Sequence, residues 1–300
     1  MDTNYNIDLP SVPIRDPFMI RLRRKLVRTF VKPETPATAI GWPAMPYPTV
    51  ELVYWRPGDG VNFGDELSRT IVELMLARKG TTVFDEVPVT RRMLAIGSVI
   101  HYASDDSVIW GSGVNGSVVE AAHTYKTLDV RSVRGPLTAK FLSKRGIFVP
   151  EIYGDPGLLI KALTGGRFGT RKTGKTGIVP HMSDLHRPEV TRLHNASGEF
   201  IIDPYRSWNV VVDEIASCDF IISSSLHGLV VADAFGIPAI YVRLGDREGL
   251  LKYEDYYAGT GRSLRFVTSM DDALADKGCE ALNYDPSPLL DAFPYDIWIS

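Results

Sequence analysis

Residues 218–242, CDFIISSSLHGLVVADAFGIPAIYV, are the most informative stretch of this sequence. An apolar run at 219–223 is followed by three serines, and residues 226–235 precede Gly236 and Pro238. Glycine directly after a helical pattern, with proline just beyond it, is typical of a helix C-terminus. A second apolar run then ends the stretch. It therefore predicts a strand, a loop, a helix and a strand, which is the repeating unit of a parallel α/β sheet.

The same alternation extends in both directions from this stretch. Strands are predicted at 51–55, 93–100, 107–113 and 147–154 in the first half, and at 176–181, 199–203, 219–223 and 237–242 in the second. Helices are predicted at Glu66–Lys79, Leu137–Lys144, Val210–Ser217 and Leu226–Phe235. The fold class is therefore α/β, with two Rossmann-like parallel-sheet domains. Since ligands of such sheets bind beyond the carboxyl ends of the strands, we expect the site in a cleft between the domains.

Residues 164–177, TGGRFGTRKTGKTG, have the composition of an exposed linker. The predicted organisation is an arm at 1–50, a first domain at 51–163, this linker, and a second domain at 178–300. Within the linker, Gly169–Thr176 matches the phosphate-loop pattern GxxxxGK[ST]. That loop must follow a strand and begin a helix, whereas GLLIKAL precedes this one and Gly177-Ile178-Val179-Pro180 follows it, so we predict no nucleotide site here.

Composition narrows the class of protein. The 300 residues are 44% hydrophobic and 23% charged, which is ordinary for a soluble globular chain, and the net charge of -3 gives no basic field for nucleic acid. Two cysteines, Cys218 and Cys279, cannot form a disulfide framework or a cysteine zinc site. His181, His186 and His194 lack metal-ligand spacing, so no metal is expected. No apolar run approaches the ~18 residues of a membrane span, and the first residues lack the order of a secretory signal, so a cytoplasmic location is expected.

The arm contains one amphipathic segment at 14–32. Apolar residues recur every four positions at Phe18, Leu22, Leu26 and Phe30, while seven basic residues and one acid surround them. This pattern predicts either a helix lying in an anionic membrane interface, or a helix that packs on a domain or a dimer partner.

Three glycine-bearing turns follow predicted strands: Asn62-Phe63-Gly64-Asp65-Glu66, Trp110-Gly111-Ser112-Gly113 and Gly154-Asp155-Pro156-Gly157. Such turns either let backbone amides approach a ligand or are only tight turns. Arg134, just before the helix start at Pro136, would bind a phosphate or carboxylate, or form a surface salt bridge. His227, in the first turn of its helix, is either an acid/base group or a helix cap.

Five of these segments together resemble the motifs of bacterial polysaccharide pyruvyl transferases, of the exopolysaccharide ketal-pyruvate transferase type. They are, in order, NFGDEL, WGSG, SVRGPLTA, YGDPGLL and SSSLHGLVVADAFGIP, and they extend over roughly Val53 to Gly261. The resemblance implies a glycosyltransferase B-like fold, with phosphoenolpyruvate as donor and no cofactor. The implied product is a cyclic pyruvate ketal on two hydroxyls of a sugar, and that sugar is expected to be carried on a lipid at the inner face of the cytoplasmic membrane.

The resemblance also implies site residues. The family's donor-binding arginine falls on Arg134 and its essential histidine on His227, with Leu226 beside it; Arg247 or Lys252 supplies a later cation. Many members have arginine where this chain has Ser225, which leaves Arg134, Arg243, Arg247 and Lys252 as candidates for the donor phosphate. Amides at Ser224, Ser225 and Leu226 are a further donor contact. Asp65 is expected to be a base for the acceptor hydroxyl or a structural cap, and the predicted acceptor or cleft residues are Asn62, Gly64, Gly111, Gly113, Asp155 and His181.

Two other functions remain open from the sequence. A nucleotide-sugar glycosyltransferase would share the architecture, but it needs an acid for the ribose, and only Asp233 lies nearby in the sequence. An inactive saccharide-binding homologue is the second alternative, because Ser225 departs from the family pattern.

Overall fold

The computed structural model describes residues 45–56, 61–169, 172–195, 199–246, 249–276 and 280–299. All of them belong to one compact unit. The amphipathic segment at 14–32 and Arg247, both singled out above, lie outside the described residues. Within the described ranges, no helix has the length and apolar character that crossing a membrane requires.

The first sheet has four parallel strands in the order β1-β2-β3-β4. Their bounds are β1 Glu51–Val53, β2 Arg92–Leu94, β3 Ser107–Trp110 and β4 Leu128–Ser132. The sequence did not predict β4, because Asp129 and Arg131 interrupt its apolar pattern. Both side chains are only partly buried on this edge strand, and Arg131 binds Asp129 and Asp296.

The second sheet has five parallel strands in the order β6-β5-β7-β8-β9. Their bounds are β5 Thr176–Val179, β6 Glu199–Ile201, β7 Phe220–Ser223, β8 Ala239–Val242 and β9 Phe266–Val267. The chain adds β6 on one side of β5 and β7 on the other, so the strand order reverses between β5 and β7. Open parallel sheets bind ligands at such a reversal, beyond the carboxyl ends of the strands. The α/β class with two parallel sheets is confirmed.

Helices connect these strands. Their bounds are α1 Phe63–Ala77, α2 Pro136–Ser143, α3 Ile160–Thr164, α4 Pro188–Thr191, α5 Trp208–Ala216, α6 Leu226–Phe235, α7 Leu251–Gly259, α8 Met270–Ala275 and α9 Ser287–Asp291. The four predicted helices agree with α1, α2, α5 and α6 to within a few residues. Because α3 precedes the linker and β5 begins at Thr176, the GxxxxGK[ST] match does not join a strand to a helix, as expected.

The predicted strand at 147–154 was wrong. This segment runs beside the first sheet with a single bridge, between Tyr153 and Val133. Pro150 has no N–H with which to extend a ladder, and Phe148 is 82% exposed. A short apolar run thus imitates a strand without the hydrogen bonds of one. The predicted strand at 93–100 likewise ends early, at Leu94.

One apolar cluster joins the two sheets, with members that include Leu52, Phe63, Val179 and Ile221. The C-terminal residues also return to the first sheet, where the indole of Trp110 donates a hydrogen bond of 2.9 Å to the Leu289 carbonyl. The two sheets lie on opposite sides of the linker in sequence. The division into two domains at 164–177, and the likeness to the glycosyltransferase B type, stay predictions.

Candidate functional site

The reversal point of the second sheet is built from three serines. Ser223, at the end of β7, donates a hydrogen bond to the Val179 carbonyl at 2.8 Å and accepts one from the Ser225 amide. The Ser224 hydroxyl accepts a hydrogen bond of 2.8 Å from the amide of His181. These bonds fix the ends of β5 and β7 next to each other, so His181 and the start of α6 share one edge of the sheet.

Helix α6 begins at this edge without a side-chain cap. Ser225 precedes the helix in an extended conformation, and its side chain accepts no capping hydrogen bond. The first-turn amides of a helix are unsatisfied donors at the positive end of the helix dipole, which is the arrangement that binds anions. The start of α6, at Leu226 and His227, is therefore suited to a phosphate or a carboxylate.

His227 brings the two halves of the chain together. Its ring packs directly on the backbone of Gly64, in the first turn of α1: a Cβ built on Gly64 would lie 2.6 Å from the His227 Cγ and 2.8 Å from its Cβ. Contacts below 3.0 Å are essentially never seen for a real Cβ. Since Gly64 has no positive φ, close approach to the imidazole is the reason this position requires glycine.

Asp155 lies on another side of the same imidazole. It is fully buried, and its Oδ1 accepts a hydrogen bond from the Gly157 amide at 2.8 Å. Its Oδ2 and the His227 Nε2 are 3.9 Å apart, and neither atom has a hydrogen-bond partner among the described residues. Two buried polar atoms left unpaired at this distance mark a place where a ligand or water would complete the hydrogen bonding.

Burial shifts the pKa values of Asp155 and His227 strongly. It raises the pKa of Asp155 to about 6, against the opposing effects of the Gly157 amide and the Arg134 charge. Burial first, and then the charges of Lys252, Arg134 and His181, together lower the pKa of His227 to about 3. Perturbed pKa values that belong to neighbouring groups are typical of catalytic sites.

Asp65, in the first turn of α1, is a third group with a shifted pKa. Its carboxyl accepts a hydrogen bond of 2.6 Å from the Asn62 amide group, and Asn62 itself caps the helix by accepting from the Gly64 amide at 3.1 Å. The cap is thus Asn62. Burial of the carboxyl raises the pKa of Asp65 to about 7, although the Lys252 charge and the Asn62 hydrogen bond lower it.

Lys252 is a cation whose charge acts on both Asp65 and His227. It stands in the first turn of α7, where its ammonium lies 5.2 Å from the Tyr253 ring. Its charge lowers the pKa of both Asp65 and His227. The contact of Lys252 with the donor stays a prediction. Arg243, another candidate, pairs with Asp246 at 2.8 Å.

Arg134 is fully buried, and its three nitrogens all have partners within the protein. It donates to Asp255 at 3.0 Å, to Ser98 at 2.6 Å and to the Val114 carbonyl at 3.0 Å. Asp255 also accepts from the Thr138 hydroxyl and from two amides at the start of α2. Arg134 thus joins α2 to α7, and its predicted contact with the donor would require these bonds to rearrange. The sequence analysis missed Asp255, which carries no local signal beyond one acid in an acidic segment.

Two of the predicted site glycines, Gly111 and Gly113, are packed tightly against other residues. A Cβ on Gly111 would collide with the Pro156 ring, and one on Gly113 would lie 2.7 Å from the Arg134 Nε. This tight packing is a sufficient reason for glycine at both positions, without a contact to a ligand. Across the described residues, no group of three or more histidine, cysteine or acidic side chains is placed to hold a metal ion.

Comparison with known proteins gives one family and several relatives. The sequence model of the family described as polysaccharide pyruvyl transferase matches residues 62–246. The succinoglycan biosynthesis protein ExoV of Rhizobium meliloti (strain 1021) is 30% identical over 217 residues, which are 71% of this chain and 65% of that protein. The chain thus spans slightly less than two thirds of that relative.

Two further proteins have no assigned function in their descriptions. The uncharacterized protein L143 of Acanthamoeba polyphaga mimivirus is 24% identical over 208 residues, 67% of this chain and 71% of that one. A solved structure of an uncharacterized Klebsiella pneumoniae protein covers 74% of this chain and 93% of its own at 10% identity, with a TM-score of 0.45. The family match begins at Asn62 and ends at Asp246, so it contains Gly64, Asp155 and His227.

Proposed function

We propose, because this chain belongs to the polysaccharide pyruvyl transferase family, that it transfers pyruvate from phosphoenolpyruvate to two hydroxyls of one sugar in an exopolysaccharide repeat unit. The product is a cyclic ketal, and phosphate is released. The observation that carries the proposal is the meeting of three motifs at one point. The imidazole of His227 lies on Gly64 and beside Asp155, next to an uncapped helix start.

The donor is a small polyanion with a phosphate and a carboxylate, so it needs cations or free amides around it. The first-turn amides of α6 and the Lys252 ammonium supply these within one region. In this proposal, Lys252 and the helix start take over the role of the arginine that many relatives have at the position of Ser225. A bound dianion would oppose the effects of burial and of Lys252, so it would raise the pKa of His227 and favour its protonation.

The reaction then proceeds in two additions. A sugar hydroxyl attacks C2 of phosphoenolpyruvate, C3 gains a proton and becomes a methyl group, and a tetrahedral adduct forms. The C2–O bond to phosphate breaks, and the second hydroxyl of the same sugar closes the ketal while its proton leaves with the phosphate. The His227 and Asp155 pair is assigned the proton for C3, because the pKa of the buried Asp155 carboxyl is raised to about 6 and a bound dianion would raise the pKa of His227 as well.

Asp65 is assigned as the base for the acceptor hydroxyl. Its pKa of about 7 suits proton removal at neutral pH, where a catalytic group is most efficient. It lies in the same turn as Gly64 and therefore close to the imidazole. The proposed reaction transfers no electrons and includes no cofactor.

A nucleotide-sugar glycosyltransferase is the less favoured function. Asp233, the acid considered for a ribose, is held by Arg262 at 2.6 Å and accepts a hydrogen bond of 2.7 Å from the Tyr256 hydroxyl. Both of its carboxylate oxygens are engaged by Arg262. A ribose would have to displace this ion pair.

The test is incubation of the purified chain with phosphoenolpyruvate, with and without an exopolysaccharide that lacks pyruvate. We expect acceptor-dependent release of phosphate and a saccharide product heavier by one pyruvate minus one water. The matched control is His227→Gln. Release of phosphate that does not depend on acceptor, without a ketal in the product, would refute pyruvyl transfer.

The acceptor is proposed to be carried on a lipid, which would place the enzyme at the inner face of the cytoplasmic membrane. The basic segment at 14–32 would then be a peripheral anchor, worth about 1 kcal/mol per basic residue near an anionic surface. Sedimentation with anionic vesicles tests this. Binding that persists after deletion of residues 1–33, or that salt does not weaken, would refute the anchor.

A further inference from the structure

A groove of about 210 Å³ lies beside the candidate site, between the end of β1 and the first turns of α1. We call it the Trp55 groove, defined by Tyr54, Trp55, Asp65, Glu66, Glu73 and Trp208. Tyr54 and Trp55 follow β1 directly, and Trp208 is the first residue of α5. Asp65 lines the groove and is adjacent in sequence to Gly64, on which His227 packs. The groove therefore adjoins the proposed catalytic groups.

Aromatic rings form part of its wall. Trp55 is half-buried: it packs in part against the apolar cluster that includes Val53 and Leu94, and among the described residues no other aromatic ring stacks on it. Trp208 already contacts the Phe168 ring, at 5.8 Å between centroids, and the Arg167 guanidinium. Tyr54 is 5% exposed. Trp55 is therefore the ring of the three that is best placed to receive a flat apolar face of a ligand.

The rest of the lining consists of hydrogen-bonding groups. Glu73 accepts a hydrogen bond of 2.7 Å from Arg69, which fixes both side chains along α1. For the Tyr54 hydroxyl, the Trp55 indole N–H and the Glu66 carboxylate, the described part of the chain offers no hydrogen-bond partner. The lining thus offers both donors and acceptors beside the aromatic rings.

The charges around the groove disfavour binding of the phosphoenolpyruvate donor. Three carboxylates, at Asp65, Glu66 and Glu73, face two arginines, at Arg56 and Arg69. Because the pKa of Asp65 is raised to about 7, Glu66 and Glu73 nearly balance the two arginines, so the groove offers no net positive charge to a polyanion, whereas a neutral molecule with many hydroxyls could use every one of these groups. Pockets for drug-sized ligands are typically about 300–1,000 Å³, so this smaller groove suits a single sugar unit.

We propose that the Trp55 groove binds one uncharged pyranose unit of the acceptor saccharide. One apolar C–H face of the sugar lies on the Trp55 indole, and its hydroxyls bond to Glu66 and to the Arg69–Glu73 pair. The sugar edge that points toward Asp65 carries the hydroxyls that react. This inference rests on the proposed function and adds to it the position and the chemical class of the acceptor.

The test measures binding apart from turnover. The methyl pyranosides of glucose, galactose and mannose are titrated into the full chain by saturation-transfer NMR, with methyl glucuronide as the charged probe. We expect saturable millimolar binding of at least one neutral glycoside, and weaker binding of the glucuronide. Trp55→Ala should lower that affinity about tenfold, the upper end of what one aromatic contact contributes.

Two control variants accompany Trp55→Ala in this test. Trp55→Phe retains a ring, so we expect it to bind far better than Trp55→Ala; thermal melting of both checks that they fold. Phe148→Ala removes an aromatic ring that is 82% exposed and does not line the groove, and it should bind like the unaltered protein. No saturable binding of any neutral glycoside, a preference for the glucuronide, or equal affinity in folded Trp55→Ala would overturn the inference.

The same proteins separate this inference from the proposed function. If acceptor-dependent phosphate release occurs but Trp55→Ala leaves the KM for acceptor unchanged, the groove is refuted and pyruvyl transfer stands. If the glycosides bind through Trp55 but phosphoenolpyruvate is never consumed, the groove stands and pyruvyl transfer is refuted.

Discussion

Replacing Gly64 by alanine adds one methyl group directly against the imidazole of His227, the proposed acid/base group. The new Cβ would lie 2.6 Å from the His227 Cγ, whereas ordinary contacts begin at 3.4 Å, so the ring must withdraw by about 1 Å. A misplacement of that size can cost about 10²-fold in rate. Overpacking of a buried contact costs about 1–3 kcal/mol, which the better helix propensity of alanine, worth about 1 kcal/mol, offsets in part. We therefore expect a large loss of turnover and a small loss of stability.

The assay is phosphate release from phosphoenolpyruvate, measured together with urea unfolding. Gly80→Ala is the matched control, since Gly80 follows the other end of the same helix with φ +68° and no atom within 4 Å of a built Cβ. It should cost stability through backbone strain and leave turnover intact. Gly64→Ala protein that turns over at the normal rate would refute the packing of His227 on this glycine and the role assigned to its ring position.

Three further predictions concern the buried groups. His227→Gln should lower turnover ~10²–10⁴-fold while thermal melting stays normal, and near-normal turnover would leave the histidine a structural residue. Asp155→Asn should raise the free energy of unfolding at pH 8. Because the pKa of the buried carboxyl is about 6 in the folded chain and 3.8 when unfolded, ionising it destabilises the fold as the pH rises through 6. The variant avoids this cost, which is about 3 kcal/mol above that pH. Urea unfolding at pH 4 and pH 8 checks this, and an equal difference at both values contradicts it. Arg134→Lys should lower stability by about 2–4 kcal/mol, because an ammonium cannot replace the buried bonds to Asp255 and Ser98; an unchanged unfolding midpoint counts against that role.

The order of elements was largely contained in the sequence. Apolar runs such as 219–223 and 237–242 became β7 and β8, and α6 begins and ends at Leu226 and Phe235 as predicted. These elements could be predicted because periodicity, a terminal glycine and a following proline are local properties of the chain. The strand predictions were wrong where local pattern and environment conflict. Strand β4 was not predicted, because it lies at a sheet edge and carries charged residues. The segment at 147–154 was predicted as a strand, because it is apolar, but it does not pair along its length.

The site residues were also visible as motifs, but their relations were not. The sequence identified Gly64, Asp155 and His227 separately, each with a structural alternative. Tertiary structure placed the imidazole on Gly64 and 3.9 Å from Asp155, and burial then shifted the pKa values of both titratable groups. It also buried Arg134 against Asp255, which is 121 positions away. Such pairings depend on how the two sheets pack, and the free energy of desolvating a charge depends on all the atoms around it, so no local pattern encodes them.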